Sequence, residues 1–598
     1  MAFQSIIVLY VTLILILKHN LVIGYVSIDK YGAIRDDYTS SETNSKAFEY
    51  ATQAALKLSG NNRIVYVPPY TYYIEAIYFN EISFISFLID GTLIAPSMYN
   101  ADNWPRDESG YYSGSNFLIS ILYFSQCNNI EIRGGGRIDG QGWDWWNLIV
   151  TAAQGSSDDR PYSMIDVRES YGLLLEGLTL LNSPQYYVYL HDVRDVLVTD
   201  LVITTRSTSS SGVPTFPINT DGIDILGTNV TVRNVSVQNY DDVIAVKPCR
   251  SYFKYCSCSS DIHISDIRVY HGAGLSIGSV PPSQYYTCVR NVVFENIVLE
   301  RPFKGVYIKT NPGSTGGGEI TNISFNNIRM HNVLWWPVYI GPQQQKQPTD
   351  EGDDDQSNGC IFYPTESYCP TQPLVTISHI YLNDVVATKS ITYYNAPGVV
   401  RCDVSAPCSD IHFTNVQLYQ TQFSRLYMYS ILEAIILQRL GSSTTDYYWR
   451  YVVENVHGSS LCNDPPLVQT FPLPGLSDLS DENAYLYTNN DIAVTAADTK
   501  FCKRLIAQRN RHLSQGKLST LAAVGMVLVS LVALTGLVGL GMLFFERIRH
   551  KYFPDEDPDL TDERSRDAVK RANEAKVLDF SKGQRTTSRH HNDMCTQS

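Results

Sequence analysis

The amino-acid sequence predicts an all-β fold, a parallel β-helix (solenoid), with a single transmembrane helix near the C-terminus. An eight-residue pattern of alternating apolar residues recurs nine times, and the segment 518–545 is almost wholly apolar. Alternation with a period of two is typical of β-strands, and repeats of roughly 20–50 residues are typical of stacked coils. A chain of 598 residues could form roughly four ordinary domains, but the repeats predict one long solenoid instead.

Each octet has apolar residues around a fifth residue that is mostly glycine, asparagine or aspartate. These residue types suit a tight bend in which the backbone enters the left-handed region. One coil cannot bury its apolar face alone, so neighbouring coils stack at about 4.8 Å and their inward Ile, Val and Leu side chains form one core. The alternative, a β-sandwich, needs hairpin turns that are scarce here. The octets begin at Ile130, Leu173, Val196, Val230, Ile262, Val292, Ile323, Val375 and Ile411, and their fifth residues are Gly134, Gly177, Asp200, Asn234, Asp266, Asn296, Asn327, His379 and Asn415.

The two ends of the chain predict entry into the secretory route and one membrane span. Residues 1–24 contain an apolar run and a small-residue exit, which is typical of a cleaved signal peptide. The segment 518–545 is long enough to cross a bilayer. We expect a type I single-pass protein at the cell surface or in the secretory pathway, with 25–465 as an outward β-helix, 466–517 as a stalk and 546–598 as a disordered cytoplasmic tail. The alternatives are an uncleaved anchor and a buried core helix.

The charge balance bears on the class of partner. Lys and Arg number 46 against 60 Asp and Glu, so the net charge is −14. Nucleic-acid binding needs many cationic contacts with phosphates. We therefore expect no nucleic-acid partner, and we expect a monomer.

Cysteines and glycosylation sequons agree with an oxidising compartment. Eleven of the 12 cysteines precede the predicted membrane span, and secreted domains use such cysteines for disulfides. Sequons at Asn229, Asn234 and Asn322 fit the same compartment. The sequence does not determine which cysteines are joined. The plausible short-range disulfides are Cys360–Cys369, Cys402–Cys408, and Cys256 or Cys258 with Cys288.

Three carboxylates precede two successive short strands. Asp221 comes directly before GIDI, and Asp241 and Asp242 come before VIAV. In a stack of coils, Asp221 and Asp242 are neighbours and Asp241 lies beside them. Crowded carboxylates raise the pKa of one member, so a general acid and a general base can coexist, as glycosidic bond cleavage requires. The alternatives are a ladder of turn-capping aspartates and a calcium site.

Four short motifs follow one another in a fixed order, and together they resemble the polygalacturonases of glycoside hydrolase family 28. They are NTDGIDI from Asn219, DD at Asp241–Asp242, GLSIGS from Gly274 and IKT from Ile308, and the likeness extends over 26–418. The resemblance implies a right-handed β-helix and hydrolysis of O-glycosyl bonds in pectin with inversion.

The resemblance also assigns roles to individual residues. Asp241 is implied as the general acid, while Asp221 and Asp242 activate the attacking water. Asn219 and Lys309 are implied in substrate binding, with Lys309 holding a substrate carboxylate. Neither a cofactor nor a metal is expected.

The first departure from the family pattern concerns a histidine. The family usually has His directly before the Gly of GLSIGS, where this chain has Ala273, and His271 lies two residues earlier. His271 is a candidate catalytic residue if the turn brings it to the carboxylates. The alternative is an exposed turn residue.

The second departure is Tyr307, which stands where the family has an arginine that grips a galacturonate carboxylate. The bidentate clamp of a guanidinium is missing. Tyr307 can stack on a sugar face, which favours a less acidic substrate such as a rhamnose-containing or substituted backbone. Lys304 and Lys247 are the cations that could compensate.

The leading hypothesis is a membrane-anchored glycoside hydrolase that cleaves pectin-type polysaccharide. The second is a surface carbohydrate-binding protein of the same fold with impaired catalysis, motivated by Ala273 and Tyr307. The third is a polysaccharide lyase, which would need Ca²⁺ and a basic proton acceptor. Mutant-sensitive hydrolysis distinguishes the first hypothesis from the second, and an unsaturated product identifies the third.

Overall fold

The structure is a computed structural model. It describes residues 24–60, 63–97, 104–106, 118–146, 160–207, 215, 217–342, 370–390, 396–420, 451–465, 467, 491–496, 499–504 and 507. The predicted signal peptide, the transmembrane segment, the tail and the Cys360–Cys369 pair lie outside these residues. Within them, no helix has the length and apolar character needed to span a membrane.

The described chain consists mainly of β-strands. It also contains the α-helix α1 (Ser41–Leu56), a 3-10 turn at Ile28–Tyr31 and short helical stretches at 143–146 and 500–504. The first fourteen strands are β1 (Val26–Ser27), β2 (Ile64–Val67), β3 (Thr71–Tyr73), β4 (Ile77–Asn80), β5 (Ser83–Ile89), β6 (Thr92–Ile94), β7 (Leu122–Ser125), β8 (Asn128–Arg133), β9 (Arg137–Asp139), β10 (Ser163–Glu176), β11 (Thr179–Leu181), β12 (Tyr186–Thr199), β13 (Val202–Thr204) and β14 (Ile223–Gln238). The remaining strands are β15 (Ile244–Val246), β16 (Cys249–Arg250), β17 (Ser259–His271), β18 (Leu275–Val280), β19 (Thr287–Glu300), β20 (Lys304–Thr310), β21 (Gly318–His331), β22 (Trp336–Pro342), β23 (Val375–Ser390), β24 (Gly398–Arg401), β25 (Cys408–Gln420), β26 (Val452–Glu454), β27 (Val456–Asn463) and β28 (Asp491–Ala496).

Successive coils pair in parallel, which confirms the predicted β-helix. The long strands β10, β12, β14, β17, β19, β21, β23 and β25 pair in that order, each with the next. Among the pairings of named strands, only β16 with β19 is antiparallel. The right-handed sense of the coil stays a prediction.

The fifth residue of every predicted octet has a positive φ, between 52° and 134°. Eight of the nine octets also stack in register. The octet at Val375 is offset by five residues, because Ile323 pairs with Ile380 rather than with Val375. Each of these coils has two residues with positive φ, five positions apart, and the alternating apolar pattern is compatible with either of them as the fifth residue of an octet. The member that stacks with Asn327 and Asn415 is therefore Asp384, whereas His379 belongs to the other bend.

The core is a continuous column of buried aliphatic and aromatic side chains along the coil axis. Phe294 and Phe325, on adjacent coils, stack with 4.8 Å between ring centroids. At the N-terminal end, α1 packs against the first strands and turns Phe48 onto Phe79 and Phe87. Covering the end of a solenoid in this way protects apolar surface and strand edges that would otherwise be exposed.

One face of the coils carries the predicted functional residues, and we call it the site sheet. It consists of the first halves of β10, β12 and β14 followed by β15, β18, β20, β22, β24 and β26. Ile223, Ile244, Leu275 and Val306 are partners across four successive strands. We call the residues two positions before each of these four partners the acid row. Its members are Asp221, Asp242, Ala273 and Lys304.

Disulfides hold the later coils. Cys402–Cys408 and Cys258–Cys288 confirm predicted pairs, whereas Cys249–Cys256 and Cys462–Cys502 were not foreseen. β28 pairs in parallel with β27, and Cys502 is joined to Cys462 within β27. Part of the predicted stalk, 466–517, therefore belongs to the β-helix, which continues past the expected boundary at residue 465.

Candidate active site

The three predicted carboxylates lie together where β14 and β15 begin. Oxygens of Asp221, Asp241 and Asp242 lie within 4.8 Å of one another. The backbone fixes this arrangement, because Gly222 N–H donates to the carbonyl of Asp242 at 2.9 Å. A side chain at Gly222 would collide with the carbonyl of Val243 at 2.3 Å, so only glycine allows the coils to approach this closely.

Asp242 is the carboxylate that stays ionised. It is 2% exposed, and its two oxygens accept hydrogen bonds from Ser276 Oγ and Lys309 Nζ, each at 2.7 Å. Burial raises the pKa of Asp242, but the charges of Lys309 and Lys247 and the hydrogen bonds from Lys309 and Ser276 together outweigh burial, so this pKa lies below its ordinary value. Asp242 can therefore accept a proton from water.

Asp241 is the carboxylate that can carry a proton. It is half-buried, and its oxygens accept backbone N–H groups from Asp242 at 2.9 Å and Asn219 at 3.3 Å. Burial and the neighbouring Asp242 charge raise the pKa of Asp241. A carboxylic acid beside an ionised partner is the arrangement that general acid catalysis needs.

Asp221 and Asp224 share the ammonium of Lys247. Lys247 Nζ lies 3.8 Å from Asp221 and 3.3 Å from Asp224. Burial and the charge of Asp241 raise the pKa of Asp221 well above its ordinary value, and burial raises the pKa of Asp224 to about 6 despite Lys247. Within the described residues, Asp221 Oδ1 is buried without a hydrogen-bond partner. Asp221 is thus the second carboxyl that tends to hold a proton.

The same three carboxylates could be considered as a metal site. Lys309 Nζ already lies 2.7 Å from Asp242, and Lys247 lies against Asp221 and Asp224. These ammonium groups supply the positive charge that a divalent cation would otherwise bring, and they would repel it. The donor set therefore fits a charge-paired carboxylate cluster better than a calcium site, which needs six to eight oxygen ligands.

Asn219 lies at the edge of the cluster. Its side-chain carbonyl accepts a hydrogen bond from Arg160 Nη2 at 3.0 Å, while its backbone N–H donates to Asp241. Arg160 also donates to the carbonyls of Pro184 and Ile218. Asn219 is thereby held in place beside Asp241, and its predicted role in substrate binding stays a prediction.

In the part of the chain that the structure describes, His271 contacts a backbone carbonyl and two aromatic rings rather than the carboxylates. Its Nδ1 lies 3.0 Å from the carbonyl of Arg301, and its ring packs on Tyr240 and Phe303. Burial lowers its pKa, so the ring is neutral near pH 7. Ala273 stands on the acid row at the position where the family has a histidine. That His271 takes over the catalytic role of this histidine stays a prediction.

Tyr307 and Lys309 occupy outward positions on β20 but are both buried, at 1% and 3% exposure. Tyr307 packs with Trp336 and Tyr339. Its ring also lies under two ammonium groups, with Lys304 Nζ 3.7 Å and Lys309 Nζ 4.7 Å from the ring centroid. The ammonium of Lys309 is paired with Asp242 at 2.7 Å, so in this structure Lys309 neutralises a carboxylate of the protein.

Two residues of the cluster did not stand out in the sequence. Asp224 and Ser276 lie on strands of the site sheet, and the strand pairing places both in one row with Ala245 and Tyr307. Their signal is a polar residue at an outward position inside an otherwise apolar strand. Lys247 appeared only as a possible substitute for the missing arginine, whereas the structure pairs it with two carboxylates.

Comparison with known proteins gives a consistent family match. The model of glycosyl hydrolases family 28 matches residues 106–428, more than half of the chain. A probable polygalacturonase of Arabidopsis thaliana is 27% identical over 398 residues, covering 65% of this chain and 73% of that protein. A polygalacturonase of Prunus persica is 27% identical over 400 residues, covering 65% and 86%.

Solved structures share the fold. An endo-xylogalacturonan hydrolase from Aspergillus tubingensis superimposes with a TM-score of 0.50 at 22% identity, covering 65% of this chain and 92% of that one. An exopolygalacturonase from Thermotoga maritima gives 0.51 at 19% identity, covering 72% and 89%. At these identities the likeness concerns the β-helix alone.

Proposed function

Because the chain belongs to family 28 of the glycosyl hydrolases, we propose that it is a glycosidase that hydrolyses a pectin-type polysaccharide at Asp221, Asp241 and Asp242. The observation that carries the proposal is the cluster itself: oxygens of the three carboxyls lie within 4.8 Å of one another, and Ser276 and Lys309 each donate to Asp242 at 2.7 Å. The pKa of Asp241 is raised by burial and by Asp242, and the pKa of Asp242 is lowered by Lys309 and Lys247 against the effect of burial. One acid and one base therefore coexist in one cluster.

In the proposed reaction, Asp241 protonates the glycosidic oxygen as the bond to the leaving sugar breaks. Asp242, ionised and held by Ser276 and Lys309, takes a proton from the attacking water. Asp221, whose raised pKa favours the protonated form, orients that water by a hydrogen bond. The water oxygen bonds to the anomeric carbon, and the leaving sugar keeps the proton from Asp241.

The proposal of inversion comes from the family resemblance. The nearest oxygens of the three carboxylates lie within 4.8 Å, which is closer than the roughly 6.5–9.5 Å between the two carboxyls of ordinary inverting glycosidases. The stereochemistry therefore needs a direct measurement. Proton NMR of the first product formed should show the anomer opposite to that of the substrate bond, and the same anomer would establish retention.

The experiment that tests the function is reducing-sugar release by the full-length chain from polygalacturonate, rhamnogalacturonan and neutral polymers. We expect release from a pectic polymer, and we expect Asp241→Asn to lower the rate by about 10²–10⁴-fold because it removes the transferable proton. The matched control is Asp261→Asn, an exposed aspartate at a left-handed bend that asparagine also tolerates. Equal rates for the three proteins would contradict the proposal.

A second candidate, a carbohydrate-binding surface protein with impaired catalysis, is favoured by two observations. Ala273 replaces the family histidine, and Tyr307 is buried where an arginine is expected. This function predicts no release that depends on Asp241, together with binding of one pectic polymer that survives Asp241→Asn.

We further propose that the protein is anchored by 518–545 with its β-helix outside, after removal of residues 1–24. The apolar character of both segments supports this topology. The full-length chain should resist alkaline extraction from membranes, and a chain ending at residue 517 should be released into the medium. Extraction of the full-length chain by alkali would contradict the anchor.

A further inference from the structure

The acid row ends at a buried lysine that the proposed reaction does not use. Lys304 is 4% exposed and occupies the row two strands beyond Asp242, with Ala273 between them. At a strand spacing of about 4.8 Å, the backbone of Lys304 lies about 10 Å along the site sheet from that of Asp242. Ala273 contributes only a methyl group to the row, so no long side chain of the row separates the lysine from the carboxylates.

Lys304 differs from the other two lysines of the cluster in its partners. Lys247 and Lys309 each lie within ion-pair distance of a carboxylate. Among the residues that the structure describes, Lys304 forms no such ion pair, and its ammonium lies over the ring of Tyr307 at 3.7 Å and near Trp335 at 5.6 Å. An aromatic face attracts a cation but does not neutralise it.

A buried ammonium without a counter-ion is costly and favours either deprotonation or an anionic partner. The charged and titratable groups that act on Lys304 are Lys309, Asp241 and Asp242, with the Tyr307 ring against it. Burial and Lys309 lower the pKa of Lys304 to about 7, while the two aspartates oppose this shift. Lys304 is therefore only partly protonated at neutral pH, and binding of an anion beside it would favour the protonated form.

We propose that Lys304 is a specificity-determining residue that binds a free carboxylate of a uronate unit next to the cleaved bond, in place of the arginine that Tyr307 replaces. The proposal rests on the proposed glycosidase function. Lys309 and Lys247 are committed to carboxylates of the protein, so Lys304 is the cluster lysine left to meet the substrate. A carboxylate beside Lys304 would raise the pKa of the lysine and would be held most tightly while the ammonium is protonated.

This role makes two measurable differences between substrates. For de-esterified polygalacturonate, Lys304→Met should raise KM at least about tenfold at pH 6, the size expected for a lost charged hydrogen bond, while kcat changes little. For fully methyl-esterified pectin, KM should be the same in both proteins. The wild-type KM for polygalacturonate should also rise as the pH increases above 7, where the free lysine loses its proton, and that rise should be absent from Lys304→Met.

Two further variants separate charge from packing. Lys304→Arg should retain most of the affinity for polygalacturonate because it keeps the cation, and Lys57→Met, at an exposed lysine after α1, should change nothing. Circular dichroism and the unfolding temperature report whether each variant is folded. If Lys304→Met is unfolded, the pH dependence of the wild-type KM still decides. Equal effects of Lys304→Met on both substrates, or a wild-type KM that is flat from pH 6 to 8, would overturn the proposal.

Failure of this inference can be distinguished from failure of the proposed function. Calorimetric binding of a trigalacturonate to full-length Asp241→Asn, with and without Lys304→Met, needs no turnover. Weaker binding caused by Lys304→Met supports the role of Lys304 even if no hydrolysis is detected. Unchanged binding together with active wild-type enzyme overturns the role of Lys304 and leaves the glycosidase proposal standing.

Discussion

Two buried groups of charged side chains lie on the site sheet, one on β10 and the other beginning two strands further along, on β14. They differ in the ratio of acidic to basic groups. In the first, Arg168 donates to both oxygens of Asp166 at 2.8 and 2.7 Å, and Ser120 donates to the same carboxylate at 2.8 Å. Three tyrosine rings lie within 6 Å of the guanidinium. Within the part of the chain that the structure describes, Asp166 and Arg168 form an ion pair of one anion and one cation, and both side chains are almost fully buried.

The second group, around Asp242, has four carboxyls and three lysines. The excess of carboxyls cannot ionise together in a buried site, so their pKa values separate. Burial raises those of Asp221, Asp224 and Asp241, whereas the lysines lower that of Asp242 against burial. A matched pair of charges supports the fold, and a mismatched cluster supports proton transfer.

The largest expected effect concerns the matched pair. Arg168→Met should lower the free energy of unfolding by about 3–5 kcal/mol, because Asp166 keeps its buried charge but loses the guanidinium that is paired with it. The kcat of the folded enzyme should be retained, since neither residue belongs to the carboxylate cluster. Urea unfolding and reducing-sugar release measure the two quantities.

The control for this prediction is the double variant Asp166→Leu/Arg168→Met, which removes both charges. It should recover most of the lost stability, because replacing a buried ion pair by apolar residues costs far less than breaking it. A double variant as unstable as Arg168→Met would show that packing of Arg168 on the tyrosine rings, rather than its charge, stabilises this region.

A smaller effect is expected inside the cluster, at the hydrogen bond from Ser276 to Asp242. Ser276→Ala removes a donor to the ionised form, so the pKa of Asp242 should rise by about one unit. Activity that requires ionised Asp242 is lost as the pH falls through that pKa. The acid limb of the kcat profile should therefore move to higher pH by about the same amount, with the plateau retained.

Ser324→Ala is the matched control for this change, because Ser324 lies in β21 outside the site sheet. Its pH profile should coincide with that of the wild type. An unchanged acid limb in Ser276→Ala would mean that the limb reports another group, and the assignment of Asp242 as the base would then be wrong.

The fold was largely predictable, because each coil repeats two local signals. Apolar alternation and a residue that tolerates positive φ mark every bend, and all nine predicted fifth positions have positive φ. The register of Val375 was wrong because two equivalent bends lie five residues apart in each coil. A local pattern cannot tell them apart, whereas the stacking of whole coils does.

The site was predictable only in part, and the reason is register again. Asp221, Asp241 and Asp242 stand directly before their strands, so their proximity follows from the motif order. Lys304 and Ser276 reach the cluster across coils joined by loops of different length, and no local spacing relates them to Asp242. The Cys462–Cys502 bond likewise spans 40 residues, too far for pairing by short spacing.

The smallest expected effect tests whether His271 belongs to the mismatched cluster or only borders it. His271→Ala should change kcat/KM by no more than about threefold, against the roughly 10²–10⁴-fold of a group that transfers a proton in the reaction. The physical reason is its contacts: the ring packs on Tyr240 and Phe303, and Nδ1 lies against the carbonyl of Arg301. Because burial lowers its pKa, His271 carries no charge near neutrality with which to shift the pKa of Asp241. The pH profile of the variant should therefore keep both limbs of the wild type, and a loss of 100-fold or a missing limb would place His271 in the catalytic cluster.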